Sequence, residues 1–266
     1  MAKTGDRDLL KEKTKPYKDH IDQVLKNEKA LLMTLQSDTS AGVAYKKIKL
    51  CEDMIGISTE YITINNLSVE LINTKNNDAL NDARKILYKA IIYLEDIVTN
   101  AIDVQYSEIE EQVAQIAQIP VTKRFEIIKK LGLAIKLLID AFGENTKWRW
   151  SFVELQGRFA TVAKNLIDMK EGCKVYFDPA MKDYEDTVLY IRLIRKLLSS
   201  SATAYRDRYE LSTHRIDDMR LAIQYLIADR RIALLINQKE DAEEDKKKAL
   251  VWKEKMAADQ KKGIAN

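Results

Sequence analysis

The chain has 266 residues, of which 46% are hydrophobic and 32% are charged, so it is long and apolar enough to bury a core. It contains only 8 Gly and 3 Pro, too few for the turns of a β-sandwich or barrel of this size, which predicts an all-α fold. Its 44 basic and 41 acidic residues leave a net charge of +3, whereas a nucleic-acid-binding domain usually has a stronger basic bias. We therefore expect no nucleic-acid partner. No stretch approaches 18 uninterrupted apolar residues, so we also expect no membrane span.

The N-terminal part of the chain predicts two helices after a charged start. Residues 1–15 are polar and charged, and we expect them to be flexible and to lack the apolar core of a signal peptide. Pro16 suits the first turn of a helix that should run to about Gln36. A second helix is predicted over about 41–75, and its two apolar stripes indicate that it packs between neighbours.

The next helix carries the most informative pattern in the chain, a row of small and aliphatic residues at steps of three and four without a miss. Strands cannot produce this spacing, which predicts a coiled-coil-like stripe on one long helix from Asn76 toward Ile119. A helix of about 40 residues would span about 60 Å at 1.5 Å per residue, so we expect an elongated bundle of long antiparallel helices. The stripe consists of Leu80, Ala83, Leu87, Ala90, Leu94, Ile97, Ala101 and Val104.

Pro120 ends this helix, and we expect two bundles, a long-helix bundle of residues 16–119 and a second helical bundle of residues 120–260. Gly143 is the alternative position for the join between them. A helix over about 122–142 should end at Gly143, which is a natural C-terminal cap. The helix after it carries a second unbroken stripe and should end at Glu171 and Gly172. This second stripe consists of Trp148, Phe152, Leu155, Phe159, Val162, Leu166 and Met169.

The C-terminal third is predicted to form long helices that carry many charges. Asp178-Pro179 reads as an N-cap followed by proline in the first helical turn. We expect one very long helix beyond it, or two helices with a break near Ser199–Ser201 or Ser212–Thr213. A final charged helix should run to about Asp259, followed by a tail of residues 261–266.

Few residues of the chain are suited to catalysis or metal binding. His214 has Glu210 one turn before it and Asp217 and Asp218 just after it, so it is the candidate general base or metal ligand. No second histidine or cysteine is placed to share a metal with it, and we expect a surface histidine instead. Glu-x-x-His pairs, phosphate-binding loops and dinucleotide motifs are absent from the sequence. We therefore expect no catalytic residue, metal or cofactor.

The most unusual local feature is the basic and aromatic run from Lys147 to Trp150. Tryptophan and arginine dominate the energetics of protein–protein contacts. Trp148 belongs to the packing stripe, which leaves Trp150, together with Lys147 and Arg149, as candidate protein contacts.

Tyrosine and arginine provide further candidate contacts. The chain contains 12 Tyr, more than its packing stripes use, and we assign Tyr88 and Tyr93 to a contact surface. Arg206 and Arg208 begin a series of arginines that could bind anions and are also candidate contacts. Acidic residues alternate with this series, which is typical of a solvated helix face with weak ion pairs. The series continues with Arg215, Arg220, Arg230 and Arg231.

Three stretches, 76–99, 147–169 and 205–220, resemble flagellar coiling proteins of the spirochaete periplasmic flagellar sheath. The similar segments cover about a quarter of the chain, and none contains a mechanistic motif. The resemblance implies an elongated, non-enzymatic sheath component that contacts flagellin and other sheath proteins and helps to impose filament curvature. It also implies a periplasmic location after removal of a signal peptide, and without that resemblance we expect a cytoplasmic protein.

The sequence therefore predicts a structural or assembly protein that is not an enzyme, most concretely a subunit of a flagellar filament sheath. Exposed apolar and tyrosine patches would pack laterally against neighbouring subunits, with self-association possible through the same surfaces. The alternative is a cytoplasmic all-α adaptor or scaffold that presents a groove to partner helices. A third hypothesis is an enzyme with a site assembled around His214.

Overall fold

The structure, a computed structural model, describes residues 4–264 except 37, 39, 41, 144 and 145. Across these residues the secondary structure consists of ten α-helices and one π-helical segment, without a strand, which confirms the all-α prediction. None of the described helices is both long and apolar enough to cross a membrane. The helices are α1 (Thr4–Leu35), α2 (Gly42–Ile72), α3 (Asn77–Glu95), α4 (Tyr106–Ala114), α5 (Val121–Phe142), α6 (Arg149–Asn165), α7 (Met169–Tyr176), α8 (Tyr184–Arg208), α9 (Ile216–Leu235) and α10 (Lys239–Lys261), with the π segment at Tyr209–Thr213.

The chain divides into two compact units. Unit 1 comprises Met1–Ile97 and Glu126–Lys147, and unit 2 comprises Val98–Phe125 and Trp148–Asn266. The two bundles predicted on either side of Pro120 do not coincide with these units. Most of α5 packs with the N-terminal helices, and the residues that precede it pack with the C-terminal helices.

In unit 1, helices α1, α2 and α3 pack in sequence order, and α2 lies against both of the others. The prediction that the first helix begins at Pro16 was wrong, since α1 begins at Thr4 and contains Pro16 in its interior. Residues 1–3 of the predicted flexible start lie outside the described residues. Predicted and observed bounds agree closely for α2 and for α5, which is followed by Gly143 with φ of +78°.

The apolar stripe that begins at Leu80 does not follow one helix, so the prediction of a single long helix toward Ile119 was wrong. Its first five members lie on α3 and are completely buried, but α3 ends at Glu95. Residues 96–105 contain no α-helix, and several of their carbonyl oxygens accept hydrogen bonds from side chains on α6 and α9. The remaining three stripe members therefore lie outside any helix: Ile97, Ala101 and Val104.

The second stripe is also interrupted, because α6 ends at Asn165 and α7 contains the predicted stop at Gly172. The side chain of Asp168 accepts a hydrogen bond from the backbone N–H of Glu171 at 3.0 Å and caps the new helix. Asp178 does not begin the following helix as predicted. Its carboxylate accepts from the N–H of Ala180 at 3.0 Å and stabilises a turn before α8.

Of the alternatives for the C-terminal third, the structure shows two helices with a break near Ser212–Thr213, where α8 passes into the π segment and His214 adopts the left-handed conformation with φ of +49°. The alternative break site, Ser199–Ser201, lies inside α8. The final charged helix is likewise confirmed as α10. Of the predicted tail, Lys261 still belongs to α10, and residues 265 and 266 lie outside the described residues.

Candidate functional site

Unit 2 contains an apolar pocket of about 460 Å³. Its walls come from residues 104–109, the last turn of α6, the start of α7 and one face of α9. Ligand sites in proteins usually have volumes of about 300–1,000 Å³ and apolar linings with a few polar groups, and this pocket has both properties. The lining includes Val104, Ile109, Met169, Ile232, Leu234 and Leu235.

The non-helical residues 96–105, here called the connecting segment, end in Val104 and Gln105, which line the pocket. Three side chains hold this segment in place. The amide of Asn165 donates to the carbonyl oxygens of Thr99 and Ala101, both at 3.1 Å. Lys164 Nζ donates to the carbonyl oxygen of Val104 at 3.0 Å, and Arg231 Nη1 donates to that of Asp103 at 2.6 Å. These bonds satisfy backbone oxygens that a helix would otherwise satisfy internally.

Two cations, Lys164 and Arg231, line this largely apolar pocket, together with the polar residues Gln105, Tyr106 and Ser107. Burial, followed by the nearby charge of Arg231, lowers the pKa of Lys164 from 10.5 to about 8, while Asp103 and Glu108 oppose the shift. The ammonium donates to Val104 and to Asn165 Oδ1 at 2.7 Å, two neutral oxygens. The described contacts therefore leave the buried positive charge without a carboxylate bonded to it.

Tyr106 forms part of the pocket wall and is tied to the start of α7. Burial raises the pKa of its phenol, and a hydrogen bond with Asp168 raises it further. Tyr106 thus stays neutral at physiological pH, where it lines the pocket and donates a hydrogen bond to Asp168. This contact also positions Met169 beside the pocket.

The predicted contact residues at the start of α6 lie near the surface. The guanidinium of Arg149 lies 4.8 Å from the centre of the Trp150 ring, an arrangement that stabilises both side chains. Lys147 and Arg149 are exposed, and Trp150 is half-buried. Trp150 and Arg149 can therefore contact another protein without unfolding of α6.

The prediction that Tyr93 belongs to a contact surface was wrong, because only 6% of this residue is exposed. Its hydroxyl donates to Oε1 of the buried Glu28, whose other oxygen accepts from Lys89 Nζ at 2.8 Å. Tyr93 thus links α3 to α1 inside unit 1. Tyr88 is half-buried on α3 and remains a candidate contact.

The other two predicted contacts lie at the end of α8 and are engaged within unit 2. Arg208 Nε lies 3.3 Å from Oδ2 of the buried Asp218, so this arginine pairs α8 with α9. Arg206 pairs with Asp207 at 2.7 Å, and its guanidinium lies 5.5 Å from the centre of the Trp252 ring on α10. Both arginines mainly stabilise helix packing.

His214 is exposed and follows the π segment. Its backbone N–H donates to the carbonyl oxygen of Tyr209 at 3.0 Å, and its ring lies edge-on to the Tyr209 ring at 6.0 Å. Within the described part of the chain, no group of three or more His, Cys, Asp or Glu side chains is arranged to hold a metal ion.

No local sequence pattern marks the pocket. In the sequence Arg231 stands out only as a member of an arginine series. Nothing near Lys164 in the sequence indicates a pocket, because Val104 and Arg231, which line the pocket with it, are distant along the chain. The one local hint was the row of β-branched and polar residues after Glu95, which are weak helix formers.

Comparisons with known proteins give one family. The model of the TP0443 family matches residues 6–260, nearly the whole chain. Neither the curated proteins nor the solved structures gave a match.

Proposed function

We propose that this chain, which belongs to the TP0443 family, is a non-enzymatic structural protein that works by binding other proteins. The Arg149–Trp150 pair at the surface of α6 is the observation that carries this proposal. An arginine stacked on a partly exposed tryptophan combines two of the residue types most enriched at the energetic centres of protein interfaces.

The use of buried charges supports a structural role. Arg124 is buried and donates to three backbone carbonyls, those of Ile116 at 2.7 Å, Ile119 at 2.9 Å and Leu166 at 3.1 Å. It thereby fixes the start of α5 to the ends of its neighbours. Hydrogen bonds from a charged group are stronger than neutral ones, so these three bonds stabilise the fold.

Arg195 on α8 has a similar bracing role. Its Nε donates to Asp229 on α9 at 2.8 Å, and its Nη1 donates to Asp241 on α10 at 2.9 Å. One guanidinium thus joins three consecutive helices of unit 2. Such rigid packing of helices supports a structural role, in which the protein acts through the shape of its surface.

We further propose that the partners are flagellar proteins, and that the chain is a sheath subunit that packs on the filament and shapes its curvature. The support is the resemblance of residues 76–99, 147–169 and 205–220 to flagellar coiling proteins. Residues 147–169 include the Arg149–Trp150 pair, so the similar segments contain the candidate contact. Flagellin, other sheath proteins and further copies of the chain would be the partners, in the periplasm.

Co-sedimentation with purified periplasmic flagellar filaments tests this proposal. The wild-type chain should pellet with the filaments, and Trp150→Ala should weaken binding at least roughly 30-fold, the loss typical of an interface hot spot. Phe177→Ala is the matched control, because it removes an aromatic side chain that is 58% exposed elsewhere in unit 2. A wild-type chain that stays in the supernatant, or a Trp150→Ala chain that binds as wild type, would refute the proposal.

The two alternative functions predict other outcomes. A cytoplasmic adaptor would ignore filaments and bind helical segments of other proteins. An enzyme at His214 would lose its activity in a His214→Asn chain, which keeps a residue that tolerates positive φ while removing the imidazole. We expect His214→Asn to bind filaments as the wild type does.

A further inference from the structure

We propose that the apolar pocket of unit 2 binds an anionic amphiphile, a single acyl chain with a carboxylate or phosphate head. The head group would lie at Lys164 and Arg231, and the chain would lie against Ile109, Met169 and Ile232. This site goes beyond the proposed structural function and is independent of it, because Arg149 and Trp150 do not line the pocket.

The walls of the pocket fit an acyl chain. Ile109, Met169 and Ile232 line the pocket and are buried, while the lining residues Leu234 and Leu235 are 47% and 52% exposed. Adjacent exposed leucines beside a cavity leave apolar surface in water that a ligand would cover. A volume of about 460 Å³ accommodates one small ligand, whereas a helix of a partner protein would need a long groove.

The charges of the pocket call for an anion. The Lys164 ammonium bonds only to the neutral oxygens of Val104 and Asn165, which leaves one N–H without an acceptor among the described residues. Arg231 donates to the backbone of Asp103, and its charge lies close enough to repel that of Lys164. An anion between them would accept from both and relieve the repulsion.

The nearby carboxylates do not provide that anion. Glu108 accepts from the backbone N–H of Gln105 at 2.9 Å and caps α4, so its position is fixed by the helix. Asp103 is exposed, and its carboxylate accepts from Gln224 at 3.4 Å. The lowered pKa of Lys164 agrees with this balance, because repulsion by Arg231 contributes more than attraction by either carboxylate.

Isothermal titration calorimetry of the full chain with dodecanoate and with dodecyl phosphate, both below their micelle concentrations, tests the site. At least one of them should bind with one molecule per chain, and the tighter one identifies the head group. Decanoate should bind roughly tenfold more weakly than dodecanoate, because it has two fewer methylenes to bury. Dodecanol and dodecyltrimethylammonium should bind at least tenfold more weakly than the better anion.

Two variants locate the binding. Arg231→Gln should weaken binding of the better anion at least tenfold, while Lys196→Gln on α8, outside the pocket, should leave it unchanged. Since Arg231 also holds the connecting segment, Leu235→Glu provides a second test at an exposed position. This variant places a carboxylate at the pocket edge and should also weaken binding of the better anion at least tenfold. Its circular dichroism spectrum and its unfolding midpoint should be those of the wild type, which would show that the fold is intact.

Failure of both anions to bind would overturn the proposal, as would equal binding of the cationic amphiphile or unchanged binding by Leu235→Glu. Filament binding by Trp150→Ala and by Leu235→Glu separates the two proposals. We expect the first variant to lose filament binding and keep amphiphile binding, and the second to show the reverse.

Discussion

The side-chain amide of Asn165, at the last residue of α6, donates a hydrogen bond of 3.1 Å to the backbone carbonyl oxygen of Thr99. The same amide donates to Ala101, and Asn165 is completely buried. Asn165 therefore holds the middle of the connecting segment in its non-helical path, and Lys164 and Arg231 hold its end.

Asn165→Ala should lower the free energy of unfolding by about 2–3 kcal/mol, because it leaves two partly buried carbonyl oxygens without their donor. Urea unfolding followed by circular dichroism measures this change. Gln224→Ala is the control, since it removes only one long hydrogen bond at an exposed carboxylate and should change stability by less than about 0.5 kcal/mol. Equal stability of Asn165→Ala and wild type would contradict the role of Asn165.

Gly157 on α6 should not tolerate any side chain. A Cβ atom there would lie 2.6 Å from Cε2 of Tyr205 and 2.8 Å from the hydroxyl of Tyr225, two stacked rings between α8 and α9. Gly157→Ala should therefore destabilise the chain by about 1–3 kcal/mol, the usual cost of overpacking a core.

Gly56 on α2 provides the matched comparison, because it is exposed and no neighbouring group lies within 4 Å of the position that a Cβ atom would take there. Gly56→Ala should raise stability by about 0.5–1 kcal/mol through the higher helix propensity of alanine. Thermal unfolding of both variants tests the pair, and a Gly157→Ala chain as stable as Gly56→Ala would show that the tyrosines can move aside.

Asp245 on α10 should make unit 2 less stable as the pH rises. It is 6% exposed, and burial, followed by the charge of Asp229, raises its pKa from 3.8 to about 6. Because the folded pKa lies above the ordinary value, the protonated form is favoured in the fold. This contribution is complete below about pH 4 and is lost as the pH rises through 6.

Asp245→Asn should remove this decrease in stability at high pH, since an amide stays neutral and can donate a hydrogen bond to Asp229. At pH 7.5 the variant should be more stable than wild type by about 1–3 kcal/mol, and near pH 4 the two should agree. Asp241→Asn, which alters the exposed partner of Arg195, should not show this gain. Denaturant unfolding at both pH values is the measurement, and a variant that is less stable at pH 7.5 would refute the assignment.

The buried Glu28 carboxylate should depend on the hydroxyl of Tyr93. Burial raises the pKa of Tyr93, and the hydrogen bond to Glu28 raises it further, so the phenol remains a donor. Tyr93→Phe should cost about 1.5–3 kcal/mol, the range for a hydrogen bond to a charged group. Tyr61→Phe on α2 should be nearly neutral in the same denaturant titration, and similar losses for both variants would argue against a special role for Tyr93.

Local sequence patterns determined the fold class and most helices, because composition, capping residues and apolar spacing act over a few residues. The scarcity of Gly and Pro predicted the all-α fold, Gly143 marked the end of α5, and Ser212–Thr213 was one of two candidate sites for the break before α9. These features depend on backbone propensity and on neighbours within one or two helical turns.

Tertiary structure alone decided where the stripe from Leu80 stops being helical and where the pocket forms. The donor that holds Thr99 is Asn165, and the donor that holds Asp103 is Arg231, 66 and 128 residues away in the sequence. The helical spacing of the apolar residues continues through Val104. However, the carbonyl oxygens of this segment accept hydrogen bonds from distant side chains, so they do not require the backbone hydrogen bonds of a helix. The same long-range hydrogen bonds bring Lys164 and Arg231 into one pocket, which no local pattern could predict.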